Sequence, residues 1–194
     1  MFILYYRNIN ARGNTMIKRI LRKLKGSNSE IDFLLNQGFK MGDNCIIYSD
    51  NAIDSNFPWL IELGNHVIIS TNVKLLAHDA STGYVNKHTK IGIVKVGSEV
   101  FIGSGTTVLC NTRIGDNVII GANSVVANDL PSNGVYAGNP AKFICSIEEF
   151  KDKHIKNLDN KPVFKKPWYE WRNATKEEKE EMKNALQDTF GYVK

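Results

Sequence analysis

His78 is the residue of this chain best suited to move a proton. It stands in Leu75-Leu76-Ala77-His78-Asp79, where a regular apolar pattern gives way to a polar stretch. Imidazole exchanges a proton near neutral pH, and a base on a rigid element beside a loop is well placed to do so. On position alone, a hydrogen-bonded turn histidine is an equally good reading. In an extended segment successive side chains point to opposite faces, so Asp79 is not automatically the group that orients the imidazole. The three cysteines, Cys45, Cys110 and Cys145, are odd in number and lack metal-type spacing. They read as buried free thiols in a reducing compartment, so the expected location is the cytoplasm.

The elements that must hold His78 follow a six-residue beat. Val96, Ile102, Val108, Ile114, Ile120 and Val126 are aliphatic and six apart. The next residues are Gly97, Gly103, Leu109, Gly115, Gly121 and Ala127, and four places on from each aliphatic come Val100, Thr106, Thr112, Val118, Ser124 and Leu130. Helices repeat every 3.6 residues and strands every two, so a strict period of six fits neither alone. It fits a coil of flat faces, six residues each, with one inward aliphatic per face: a hexapeptide β-solenoid. Leu63, Ile69 and Leu75 carry the beat upstream, with Met41, Ile47 and Ile53 before them. The register breaks at Asn56-Phe57-Pro58-Trp59 and again between Asp79 and Lys95. Residues that leave a solenoid stack commonly build its binding face. The second break, carrying Tyr84, Lys87, His88 and Lys90, is expected to be an extruded loop over about 79–95. A plain solvated loop fits its composition equally well.

With 42% hydrophobic and 23% charged residues in 194, the chain reads as one globular domain with extra ends. It has no apolar run near the roughly 18 residues of a membrane span, and its opening Met1–Tyr6 lacks the basic lead of a secretion signal. The net charge of +5 is concentrated early: Lys18, Arg19, Arg22, Lys23 and Lys25 alternate with Ile17, Ile20, Leu21 and Leu24. Residues 1–37 are expected to be a basic, helical segment, either packed on the solenoid end or touching the inner face of an anionic membrane. Aromatic residues do not interleave with the basic run, so no nucleic acid is expected. Residues 38–147 form the β-solenoid, and 148–194 a C-terminal extension. There Thr175-Lys176-Glu177-Glu178 is a capping-box pattern that predicts a helix over about 176–190, with Gly191 as its stop. Trp168, Tyr169 and Trp171 precede it and read as packing on a solenoid face, with a carbohydrate-stacking platform as the functional alternative.

The repeats, the histidine before the extruded loop and the closing Gly134-Val135-Tyr136-Ala137-Gly138-Asn139-Pro140-Ala141-Lys142 resemble the hexapeptide-repeat acyltransferases. The nearest group is that of the maltose and galactoside O-acetyltransferases and the capsule or O-antigen sugar O-acetyltransferases. The resemblance covers residues 38 to 147 and implies an all-β, left-handed parallel β-helix, a homotrimer with sites between subunits, and acetyl-CoA as co-substrate with no metal. It places the catalytic general base at His78, acting on an acceptor hydroxyl that attacks the thioester directly. It places acetyl-CoA contacts at Phe101, Gly103, Ser104, Gly121, Ala122, Ala127, Asn128 and Lys142, although coil corners would need the glycines anyway. Ala127 and Asn128 depart from the Thr-Lys of the galactoside group, so contacts to the nucleotide end differ. The acceptor-binding candidates are Asp50, where the group has an asparagine, and Tyr84 in the loop. An imidazole that accepts the hydroxyl proton during attack is worth roughly 100- to 10,000-fold, and a backbone N–H on a neighbouring coil would serve the oxyanion.

The expected function is therefore acetyl transfer to a hydroxyl of a sugar or glycan precursor in polysaccharide biosynthesis. N-acetylation of an amino sugar is one alternative. A non-catalytic solenoid scaffold is another, against which the intact His78 and the Gly-Asn-Pro-Ala-Lys ending argue. A zinc enzyme like the β-helix carbonic anhydrases is a third. His66 and His78 are twelve apart and could share a face, but that group's pair of histidines five apart is absent, and zinc needs three converging ligands.

Overall fold

The computed structural model describes residues 5–6, 29–48 and 50–194. The basic run 17–25 lies outside them. By its contacts the chain divides into two units, one ending at Ile147 and one starting at Glu148.

The first unit is a stack of coils with three parallel faces. Face one holds Lys40–Met41, Ile61–Leu63, Val94–Val96 and Thr112–Ile114. Face two holds Ile46–Ile47, Ile68–Ile69, Val100–Ile102, Val118–Ile120 and Gly134–Ala137. Face three holds Ala52–Ile53, Lys74–Leu75, Thr107–Val108 and Val125–Val126. Equivalent residues pair in register, so the beat becomes vertical columns: Leu63, Val96 and Ile114 in one, Leu75, Val108 and Val126 in another. All of these side chains are buried. Each buried Val, Leu or Ile stabilises by about 1.5–3 kcal/mol, against about 1 kcal/mol net for a hydrogen bond. With nearly all of these strands only two or three residues long, the inward column outweighs the ladder. That is why a bare aliphatic period suffices to specify the coil.

The corners turn through left-handed backbone, chiefly at asparagines: Asn44, Asn72, Asn111, Asn117, Asn123 and Asn133 all have φ between 54° and 64°. Asparagine tolerates that region because its short amide bonds locally. Gly103 meets a different demand. A Cβ there would lie 2.6 Å from the Ala122 backbone nitrogen of the next coil. Gly103→Ala must therefore push two coils apart, and a loss of about 1–3 kcal/mol is expected in urea unfolding. An unchanged midpoint would show that the stack gives way freely.

Both ends of the stack are covered. Tyr5–Tyr6 pairs antiparallel with Ile46–Ile47. Helix Ser29–Asn36 buries Ile31 and Leu34 together with Phe39 in the core of the first unit. At the other end Lys142–Ser146 pairs antiparallel with Gly134–Ala137. The turn between these strands is the Gly-Asn-Pro-Ala segment, with a cis Asn139–Pro140 peptide. It is tied to the last face-three strand: Val125 N–H donates to Gly138 O, and Ala141 N–H to Val125 O. Parallel edges invite further pairing, and these devices close them.

Both register breaks are ordered. The first is a single 3-10 turn, Pro58–Leu60. The second is a hairpin rather than a plain loop: His78–Asp79 pairs antiparallel with Lys90–Ile91, with a short helix Thr82–Asn86 beyond. It starts at His78 itself, and the coil resumes at Val94, pairing with Ile61.

The second unit contains most of helix Ile147–Asn157, a 3-10 stretch Trp168–Asn173, helix Lys176–Ala185 and a two-stranded pairing of Val163–Phe164 with Tyr192–Val193. The capping box forms, with Thr175 Oγ1 accepting from Glu178 N–H and Glu178 Oε2 accepting from Thr175 N–H. The helix ends at Ala185, short of the expected 190, because the chain turns at Leu186 and Gln187. Gly191 is not its stop. A Cβ there would lie 2.7 Å from Pro162 O, so glycine admits the strand pairing instead. Trp171 packs edge-on to Phe164 and donates Nε1–H to Lys166 O within this unit. Among the described residues no helix is long and apolar enough to cross a membrane.

Candidate active site

The coil that carries Ile53 on face three continues into Asp54, whose side chain is 1% exposed. One coil on, Leu75 leads through Leu76 and Ala77 to His78, where the hairpin departs. Stacking places His78 Nδ1 in a hydrogen bond with Asp54 Oδ2, across 24 residues of sequence. The same oxygen accepts from Ala77 N–H at 2.9 Å. Oδ1 accepts from Asn56 N–H at 3.0 Å and from Phe57 N–H at 3.4 Å. Burial pushes the Asp54 carboxyl upward, but the bonds from His78, Ala77 and Asn56 and the charge of His78 outweigh it and hold it below the ordinary aspartate value.

An ionised carboxylate only accepts hydrogen bonds, so Nδ1 carries the ring proton. In the neutral ring Nε2 then keeps its lone pair, on a side chain 28% exposed. Phe57 lies against the imidazole, ring centroids 5.5 Å apart at 58°. A buried acceptor, an oriented imidazole and a second ring nitrogen near solvent are the arrangement a general base requires.

The carboxylate that reaches His78 is thus neither Asp79 nor Asp50. Asp79 Oδ1 accepts from Ser81 N–H in the hairpin, and Asp50 occupies a left-handed corner four residues before Asp54. Tyr84 is 92% exposed at the far end of the hairpin from His78. His66 sits on another corner, bonded to Asn44 and Glu99, so it does not converge with His78. Asp54 and Phe57 escaped the sequence reading. A signal for Asp54 existed: after the inward aliphatics of face three come Leu76, Leu109 and Ala127, and Asp54 is the polar exception.

The residues implied for acetyl-CoA fall along both borders of face three and on the neighbouring face. Gly103, Ser104, Gly121 and Ala122 stack at the corner from face two to face three, where Gly103 N–H donates to Ile120 O and Asn123 N–H to Ser104 O. Ser104 Oγ contacts Ser70 Oγ at 2.6 Å and accepts from Thr71 Oγ1 at 3.2 Å. Ala127 and Asn128 lie exposed at the other border, two turns of the stack from the corner at which His78 departs. Phe101 leaves its ring 41% exposed on the outer side of face two, and Lys142 is exposed on the closing hairpin. Face three lies between the two borders. Glycine at 103 and 121 answers to neighbouring coils, since a Cβ at 121 would lie 2.9 Å from Ala137 Cβ.

Coils of three six-residue faces, with a histidine at the base of an excursion, define a hexapeptide-repeat β-helix protein. Residues 93–128 match the family model described as bacterial transferase hexapeptide (six repeats). The chain is similar to Protein CapG of Staphylococcus aureus, 36% identical over 148 residues, covering 74% of this chain and 86% of that one. It is likewise 36% identical over 110 residues to the galactoside O-acetyltransferase of Escherichia coli, covering 53% and 52%. Among solved structures, a hexapeptide-repeat acetyltransferase of Vibrio cholerae complexed with acetyl coenzyme A matches with a TM-score of 0.48 and 16% identity, covering 70% and 91%. The chain belongs to the hexapeptide-repeat acyltransferases. It has their left-handed parallel β-helix and is an acetyltransferase with acetyl-CoA as its co-substrate.

Proposed function

We propose that the chain transfers acetyl from acetyl-CoA to a hydroxyl of a sugar or glycan precursor, with His78 as general base. The observation that supports this most is the Asp54–His78 pair, which leaves Nε2 as the proton acceptor. The acceptor oxygen attacks the thioester carbonyl carbon as its proton passes to Nε2. The carbon–sulfur bond then breaks, and the proton leaves with the CoA thiol. No acyl-enzyme is required, because the acceptor itself is the nucleophile.

The likeness to a galactoside O-acetyltransferase supports a saccharide acceptor and O- over N-transfer. A homotrimer with the donor in grooves between subunits follows from the family resemblance, with Phe101, Ser104, Ala122 and Lys142 among the contacts it implies. Cytoplasmic polysaccharide synthesis is the setting this implies, with the basic run 17–25 as a contact for the inner membrane face.

The experiment is a calorimetric titration with CoA, followed by thiol release from acetyl-CoA against a panel of methyl glycosides. Saturable binding near one site per subunit and sugar-dependent release are expected. Absence of binding at millimolar CoA would bring the scaffold reading forward.

A further inference from the structure

The first register break places one aromatic ring, Phe57, against the imidazole and a second, Trp59, against the first. Asp54 Oδ1 holds this turn through Asn56 and Phe57 N–H, while Oδ2 holds the imidazole, so one buried carboxylate aligns both. Phe57 contacts His78 on one side and Trp59 on the other, the latter edge-to-face at 5.7 Å and 71°. Pro58, buried between them in sequence, pins the turn to the solenoid. Gly38, at φ 101°, makes room behind Trp59: a Cβ there would lie 3.0 Å from Trp59 Cβ. The indole is nevertheless 52% exposed. A large flat ring held firmly at its base and left open one ring away from a proton acceptor suits a ligand with a flat apolar face.

We propose that Trp59, with Phe57, is the platform on which the pyranose ring of the acceptor lies while its hydroxyl meets His78 Nε2. This rests on the saccharide reading above. A pyranose offers a face of C–H groups to an aromatic ring and a rim of hydroxyls to the base, and both partners are present here at adjoining positions. A small hydroxy amino acid has no such face. The platform therefore favours sugars through acceptor affinity, and it leaves the chemical step to His78.

The test compares the wild type with Trp59→Leu and Trp59→Tyr. The acceptors are the methyl pyranosides of galactose, glucose, mannose and N-acetylglucosamine, with L-serine in parallel, at saturating acetyl-CoA. For the accepted glycoside, Trp59→Leu is expected to raise KM about tenfold, with kcat within about twofold. The KM for acetyl-CoA stays where it was, and Trp59→Tyr recovers most of the loss because it restores a flat ring. A glycoside that Trp59→Leu uses with unchanged KM would overturn the platform while leaving the saccharide reading intact. If the wild type acetylates none of the glycosides, or only serine, both fall.

Discussion

His78→Ala is expected to lose acetyl transfer by about 100- to 10,000-fold in kcat while binding CoA as the wild type does. The donor contacts implied by the family lie on coils beyond Leu75, and none of them is the imidazole. Nor does the fold depend on it. Without His78, Asp54 still accepts from the backbone N–H groups of Ala77, Asn56 and Phe57. His78→Asn sharpens the test, since its amide nitrogen can take the place of Nδ1 and donate to Asp54 but offers nothing where Nε2 was. Steady-state rates with a glycoside acceptor, together with calorimetric CoA affinity and sedimentation, separate the roles. Loss of turnover in both variants with intact CoA binding is the expected pattern. Near-native turnover in either would sink the assignment of the base.

Asp54→Asn is expected to lower kcat by two orders of magnitude or more, with a smaller change in KM. The carboxylate accepts from four donors at once, and an amide of the same shape cannot. If the new NH2 faces His78, the imidazole must accept at Nδ1 and carry its proton on Nε2, where the base should be empty. If the NH2 faces Asn56 and Phe57 instead, two donors oppose each other in the turn that holds the aromatic platform. Leaving buried donors unpaired costs about 1–3 kcal/mol, so stability falls as well.

The stability loss carries a pH signature. Burial would raise the Asp54 carboxyl, but its hydrogen bonds, from His78 first, hold it below the ordinary value. A folded pKa below the unfolded one stabilises fully above the unfolded value, about 3.9, and that contribution is lost as pH falls through the folded value. Urea midpoints of the wild type and Asp54→Asn should therefore differ most near neutrality, and the gap should begin to close only as pH falls below about 4. A gap that stays constant into acid would mean the carboxylate charge is not its source.

The C-terminal unit shows where local signals suffice and where they stop. Thr175 and Glu178 are three residues apart, and their reciprocal bonds form as the pattern requires. The far end of the same helix does not follow from Met182, Leu186 and Phe190, because apolar spacing continues past the point where the backbone turns at Leu186. By sequence, Trp168, Tyr169 and Trp171 read as packing on a solenoid face, with a sugar platform as the alternative. Trp171 fills its own unit against Phe164 and Lys166, whereas in the first unit Phe57 is the ring against the imidazole, with Trp59 next to Phe57.

The sequence by itself determined the β-solenoid and singled out His78. An inward aliphatic every six residues is a property of the chain that each coil repeats, and a histidine where that beat fails marks where the chain leaves the stack. Only the tertiary structure decided what His78 can do. Its partner is neither the adjacent Asp79 nor the corner residue Asp50 but Asp54, brought beneath it by the register of Ile53 on Leu75. The number of residues between two stacked positions depends on what each coil extrudes, and here the turn at Asn56-Phe57-Pro58-Trp59 lengthens the coil. The interruption that hides the pairing from the sequence therefore also sets Phe57 against the base and Trp59 next to Phe57.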